Sequence, residues 1–204
     1  LVHTVCAKDE NNKVGCMRQI GAELLVQLVG QRKSASVVRH SCLVMRAITN
    51  PDDMRREASC AMENGRALVS SGAIPLLISV ARESLERAVA GAVAGADAPA
   101  AEADSKQQDE GIPFDNETDG TKPTDVASAA FLALRQLAIT SETVNLISAH
   151  GGLDLPKLIL DSDIDDALTI RAVIGLVRNI CADDKYKTTL CQDGTSFRAN
   201  VTHN

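Results

Sequence analysis

Apolar residues recur along this chain in two kinds of run. One is a stripe at helical spacing: Ile170, Val173, Leu176, Val177 and Ile180, matched by Val38, Ser41, Val44, Met45 and Ile48. Residues three and four apart gather on one side of a 3.6-residue helix, so each stripe predicts a long amphipathic helix. The other kind opens on a glycine: GAELLVQLVG at Gly21, GAIPLLISVA at Gly72 and GLDLPKLIL at Gly152. Glycine adopts φ > 0 without steric cost, so each predicts a sharp turn into a further helix. Pro75 and Pro156 then fall in a first helical turn, where a missing N–H is harmless.

These runs repeat. LVRNICADDK from Leu176 lies over LVHTVCAKDE from Leu1, with looser copies in LRQLAITS from Leu134 and VMRAITNP from Val44. Each sets a His or Arg two residues before an aliphatic one: His3/Val5, Arg46/Ile48, Arg135/Leu137 and Arg178/Ile180. Val5 to Ile48 and Leu137 to Ile180 are both 43 residues, and Gly152 to Gly194 is 42. Two intervals are longer by insertion. Ile48 to Gly72 is 24 where its counterparts are 14 to 16, and Gly72 to Leu137 is 65 where they are 27 and 28.

The first insertion, NPDDMRREASCAMEN, starts as a helix should: Asn50 caps, Pro51 follows, and Asp52 and Asp53 meet the positive helix end. It predicts a lengthened first helix in the next unit. Ser162, with Asp165 three residues on, predicts another helix start. The second insertion differs in kind. Residues 97–125 hold nine acids and two lysines, a net of −7, within a chain of net charge −6, so the remainder is +1. Rich also in Gly, Pro and Ala, this stretch buries too little apolar surface to offset its ordering entropy. It predicts a disordered acidic loop over about 85–124, the alanines of 88–96 extending a helix by a turn or two.

Chemistry is sparse. His3, His40, His150 and His203 are scattered, with no metal-type Cys/His spacing, no GxSxG and no P-loop. GAVAG at Gly91 lacks the rest of a phosphate loop, and DSDIDD at Asp161 lacks the glycine and closing Glu of a Ca²⁺ loop. The expectation is no enzyme, no cofactor and no metal. Six cysteines (Cys6, Cys16, Cys42, Cys60, Cys181, Cys191) fall in apolar helical patterns without a CxxC pair. They read as buried reduced thiols, which points to a cytoplasmic or nuclear setting, and the sequons at Asn116 and Asn200 as chance matches. No apolar stretch reaches the roughly 18 residues that span a bilayer. Aromatics are 2%, with no Trp, which argues against stacking platforms for sugars or single-stranded nucleic acid.

A period of about 40–47 residues belongs to helical repeats. Three strings, GAIPLLISVA at Gly72, LRQLA at Leu134 and LVRNIC at Leu176, resemble the armadillo repeat family, with Asn179 where that family's third helix usually has Asn. The resemblance runs from Leu1 to about Gly194. It implies an all-α, armadillo/HEAT-like solenoid: three helices per unit in a right-handed superhelix, with a concave groove of third helices that holds extended peptides. On this reading residues 1–20 end a truncated repeat. Residues 21–71 form a repeat with a lengthened inter-repeat helix, 72–151 one interrupted by the acidic loop, and 152–193 a further one. The tail 194–204 fits none. The leading Leu1 and the absence of polar end units predict a piece of a longer array.

Aligning the third helices superposes Arg46, Arg135 and Arg178, and sets Arg39 on Arg171 seven residues upstream on roughly the same face. Stacked units would bring these guanidinium groups into a column suited to carboxylate or phosphate. Packing over the apolar seam is the competing use of the same side chains. With Gly175 and Leu43 where nuclear-import adaptors of the family have Trp, binding of import signals is not expected. The sequence therefore predicts a protein–protein interaction scaffold for acidic or phosphorylated peptides, using Arg39, Arg46, Arg135, Arg171, Arg178 and Asn179. The alternative is a nucleic-acid module using the same arginines, which the acidic balance disfavours. The acidic loop competing for the groove is a further expectation.

Overall fold

The computed structural model describes residues 9–50, 59–96, 120–162, 164–188 and 190. Among them the chain is all-helical, with no strand. Within the described residues nine helices follow one another: α1 (Glu10–Gln19), α2 (Gly21–Gln31), α3 (Ala35–Thr49), α4 (Ser59–Ser70), α5 (Ala73–Ala96), α6 (Pro123–Leu137), α7 (Ser141–Ala149), α8 (Leu155–Leu160) and α9 (Ala167–Ile180). A short helical stretch over 184–188 comes after them.

The order is three triplets. In each, a first helix meets a positive-φ glycine, a second helix follows, and a long helix closes the set. Gly21, Gly72 and Gly151 take φ of 77°, 84° and 75°, and α4 meets α5 at 75°. The glycine-based boundaries at 21, 72 and 152 fall at the junctions of α1 with α2, α4 with α5 and α7 with α8. In the third triplet the left-handed residue is Gly151, not the Gly152 of the sequence alignment. Gly152 serves another need: a Cβ there would sit 2.8 Å from the carbonyl oxygen of Ile147.

Local chemistry accounts for the helix starts. Ser34 Oγ accepts from the Val37 amide, Asp9 from those of Asn11 and Asn12, and Thr140 Oγ1 from that of Thr143. Pro123 opens α6, with the Lys122 amide donating to Asp125 Oδ2 at 3.3 Å. Three expectations are corrected. Helix α9 is capped by Asp166, whose Oδ2 accepts from the Thr169 amide at 2.7 Å, while Ser162 donates back to the Ile159 carbonyl. Competition among the oxygens of DSDIDD is won by the residue directly before the apolar stripe. Helix α5 runs to Ala96, as the alanines of 88–96 predict, so only the outer edge of the acidic insertion at 85 moves outward; alanine has the highest helix propensity and sustains the extra turns. Asp125, counted with the insertion, belongs to the first turn of α6. Asn50 is the C-cap of α3. The helix start at 51–58, the loop over 97–119, His3/Val5, Cys6, Cys191, Gly194 and the tail 194–204 lie outside the described residues.

One apolar core links the triplets. Helix α6 is its centre and packs extensively on α3, α5 and α9. Ala127, Ala129, Ala130 and Ala133 let these neighbours approach closely, and Phe131 and Leu134 are fully buried between them. The two sequence stripes are the core faces of α3 and α9: Val38, Ser41, Val44, Met45 and Ile48 are buried, as are Val173, Leu176 and Ile180.

Candidate functional site

The closing helices form a row in which α6 packs against both α3 and α9. Their C-terminal turns carry the superposed arginines. Each such turn ends in carbonyls without intrahelical partners, and side chains of neighbouring helices satisfy them. Asn64 Nδ2 donates to the Ile48 carbonyl at 3.0 Å, and Lys13 Nζ, 1% exposed, donates to that of Asn50 at 2.6 Å. Asn179 Nδ2 donates to the Arg135 carbonyl at 2.8 Å. Gln136 Nε2 reaches Asn50 Oδ1 at 3.2 Å. Asn179 is thus committed to joining α9 to α6.

The arginines divide into two groups. Arg46, Arg171 and Arg178 are exposed, and Arg39 is half-buried. Arg135 lies across the backbone of α9, where a Cβ on Gly175 would stand 2.8 Å from its Cδ and 2.9 Å from its Nη1. The residue matching Gly175 on α6 is Leu132, which offers no such seat, and Arg46 stays in solvent. Of the six predicted residues, only Arg135 and Asn179 are brought into direct contact. Among the described residues none of the five arginines has an ion-pair partner, whereas Arg32 and Arg82 do. Arg32, in the left-handed conformation at the end of α2, pairs with Glu83 and donates to Ser79 Oγ at 2.8 Å. Arg82 donates to the Gly151 carbonyl at 3.1 Å, with Asp154 at 3.9 Å. Burial raises the Glu83 carboxyl, but hydrogen bonds from Arg32 and Ser79 outweigh it and hold the group below its ordinary value.

Sequence reasoning missed the groove between α8 and α9, about 370 Å³ and apolar, lined by Leu160, Ile170, Ile174, Val177 and Leu190, with Lys157 at its rim. Leu160 is 67% and Ile174 63% exposed. The signal was the aliphatic Ile174 beside Arg171 and Arg178 on the solvent face of α9.

Cys16, Cys42 and Cys60 are buried free thiols and Cys181 is half-buried. Burial pushes the Cys42 thiol up to about 12. Among the described residues no group of three or more His, Cys, Asp or Glu side chains is placed to hold a metal ion. No single described helix is long and apolar enough to cross a membrane. No family model matches the chain, and no curated protein matches it.

Proposed function

We propose that the chain is an armadillo/HEAT-type α-solenoid that acts as a non-catalytic protein–protein interaction scaffold. It holds extended acidic or phosphorylated peptide segments along the surface of its closing helices, in the cytoplasm or nucleus, and uses no cofactor. The carrying observation is that α3, α6 and α9 pack in a row while Arg46, Arg171 and Arg178 stand exposed on them without carboxylate partners among the described residues. A guanidinium left free for solvent retains its two-pronged capacity for carboxylate or phosphate. Arg135 contributes its position more than its charge, since it is laid over Gly175. The three-triplet order and the glycine turns support the solenoid reading, and the buried thiols support a reducing compartment.

Fluorescence polarisation tests this with a polyglutamate-containing peptide, its phosphoserine counterpart and a neutral control. Binding of the acidic peptides is expected, weakened about tenfold or more by Arg46→Glu with Arg178→Glu, since exposed charge pairs are worth up to about 1 kcal/mol each. Equal binding by the double variant refutes the arginine surface. Tighter binding of an RNA or DNA oligonucleotide, with a steep salt dependence, selects the nucleic-acid alternative.

A further inference from the structure

Charge is spread unevenly over the three closing helices. Together α3, α6 and α9 carry five arginines, Arg39, Arg46, Arg135, Arg171 and Arg178, against one acid, Asp125, in a chain of net charge −6. Asp125 stands in the first turn of α6, at the far end from Arg135. The acids just past the helix ends are engaged locally. Asp183 Oδ1 accepts from the Lys185 amide at 3.1 Å, Asp184 pairs with Lys187, and Glu142 lies in the first turn of α7, at its positive end. Hydrogen bonds set the three C-terminal turns in line. Asn179, near the end of α9, donates to the Arg135 carbonyl, and Gln136, near the end of α6, reaches Asn50, the C-cap of α3. Arg46, Arg135 and Arg178 therefore stand in a row, one on each helix.

The middle member of that row is withdrawn. Arg135 is half-buried and laid over Gly175, whereas Arg46 and Arg178 are exposed. Packed helices stand about 8–10 Å apart, so the two free guanidinium groups, two helices apart, are separated by about 16–20 Å. An extended chain returns a side chain to the same face at every second residue, and six residues of it span about 20 Å. We propose that the surface selects an extended segment whose acidic or phosphorylated residues lie six positions apart, one held by Arg46 and the other by Arg178. This selection rests on the proposed binding of acidic peptides by the arginine surface and adds the spacing they must have. Once the first acid is held, the second binds as an intramolecular event, and only a segment that spans the interval gains from it. Gly175 sets the interval. An alanine Cβ there would stand 2.8 Å from Arg135 Cδ and 2.9 Å from its Nη1, and the flexible arginine side chain would have to leave. Its release fills the middle position and shortens the interval to one helix step.

The experiment measures fluorescence polarisation with the intact chain and three labelled proline rulers of equal charge, each with two phosphoserines separated by two, five or eight prolines. Polyproline II rises about 3.1 Å per residue with three residues per turn, so the pairs share a face at about 9, 19 and 28 Å. The five-proline ruler is expected to bind tightest, by about fivefold, the worth of one further exposed charge pair. Arg46→Gln or Arg178→Gln alone should bring it down to the level of the other two, with the melting curve unchanged. Gly175→Ala should raise the affinity of the two-proline ruler, and Arg135→Gln in the same protein should cancel that gain. Equal binding of the three rulers overturns the spacing. So does a preference for the two-proline ruler that Arg171→Gln removes, because Arg171 and Arg178 lie about 10 Å apart along α9 and the segment then follows one helix. Equal binding that is still weakened by Arg46→Glu with Arg178→Glu leaves the arginine surface standing without its spacing. Failure of every ruler and of the polyglutamate peptide to bind removes the surface itself.

Discussion

Replacing Gly152 by alanine adds one methyl group at a place where the surrounding backbone has no freedom to yield. The new Cβ would stand 2.5 Å from Ile147 Cγ2, 2.8 Å from the Ile147 carbonyl oxygen and 3.2 Å from Ile78 Cδ1. Comfortable carbon contacts are about 3.5–4.0 Å. The side chain of Ile147 is fully buried and, being β-branched on a helix, stiff at χ1. Its carbonyl is fixed as well, because it accepts the Gly152 amide at 2.8 Å where α7 ends. Overpacking of this kind costs about 1–3 kcal/mol, against about 0.4–1 kcal/mol regained from a stiffer unfolded chain. A net loss of about 1–2 kcal/mol follows. Urea unfolding followed by circular dichroism measures it as a lower midpoint at unchanged slope. Gly91→Ala is the matched control: it lies within α5 with nothing near its Cβ position, so it gains up to about 1 kcal/mol of helix propensity. A Gly152→Ala protein as stable as the wild type would refute the close-approach account of this turn.

Asn179→Leu removes the donor to the Arg135 carbonyl; a loss of about 1–3 kcal/mol in thermal or urea unfolding is expected for the acceptor left behind. Glu83 is held below its ordinary value when folded, so its stabilisation is present above the unfolded carboxylate range and is lost as pH falls through the folded value. The gap between wild type and Glu83→Gln, measured by denaturation from pH 7 to pH 3, should therefore close on acidification. Cys42, with its thiol pushed up to about 12, should resist a thiol reagent at pH 8 until the protein unfolds, while the half-buried Cys181 labels before the buried Cys16, Cys42 and Cys60 in a timed mass-spectrometric assay.

The hydrophobic spacing was enough to read α2, α3, α5, α8 and α9, the two core stripes and two of the three left-handed glycines that join first and second helices, because these depend on local periodicity and on the steric freedom of single residues. The third glycine was misplaced by one residue, since GG at 151–152 offers two candidates and only the packing of Ile147 decides between them. The cap of α9 was ambiguous for a like reason: DSDIDD presents several equivalent oxygens. For the candidate site, residue types and register were legible, but their use was not. Arg46 and Arg135 look alike in sequence, and what separates them is the neighbour across the row, Leu132 in one case and Gly175 in the other. Lys13 and Asn64 gave no sign of their role, because a carbonyl that needs a donor is a property of where another helix stops. The groove escaped notice since its walls come from two helices whose approach no single stretch encodes.

The small side chains of α6 carry one more consequence. Its alanines sit between helices that precede residue 97 and helices that follow residue 137, so the two halves of the polypeptide meet through a broad apolar seam. Cohesion across that seam belongs to side-chain interlocking rather than to the peptide links of 97–119. Fragments 1–96 and 120–204, produced apart and mixed, are expected to reassemble into one particle that elutes at the size of the parent chain.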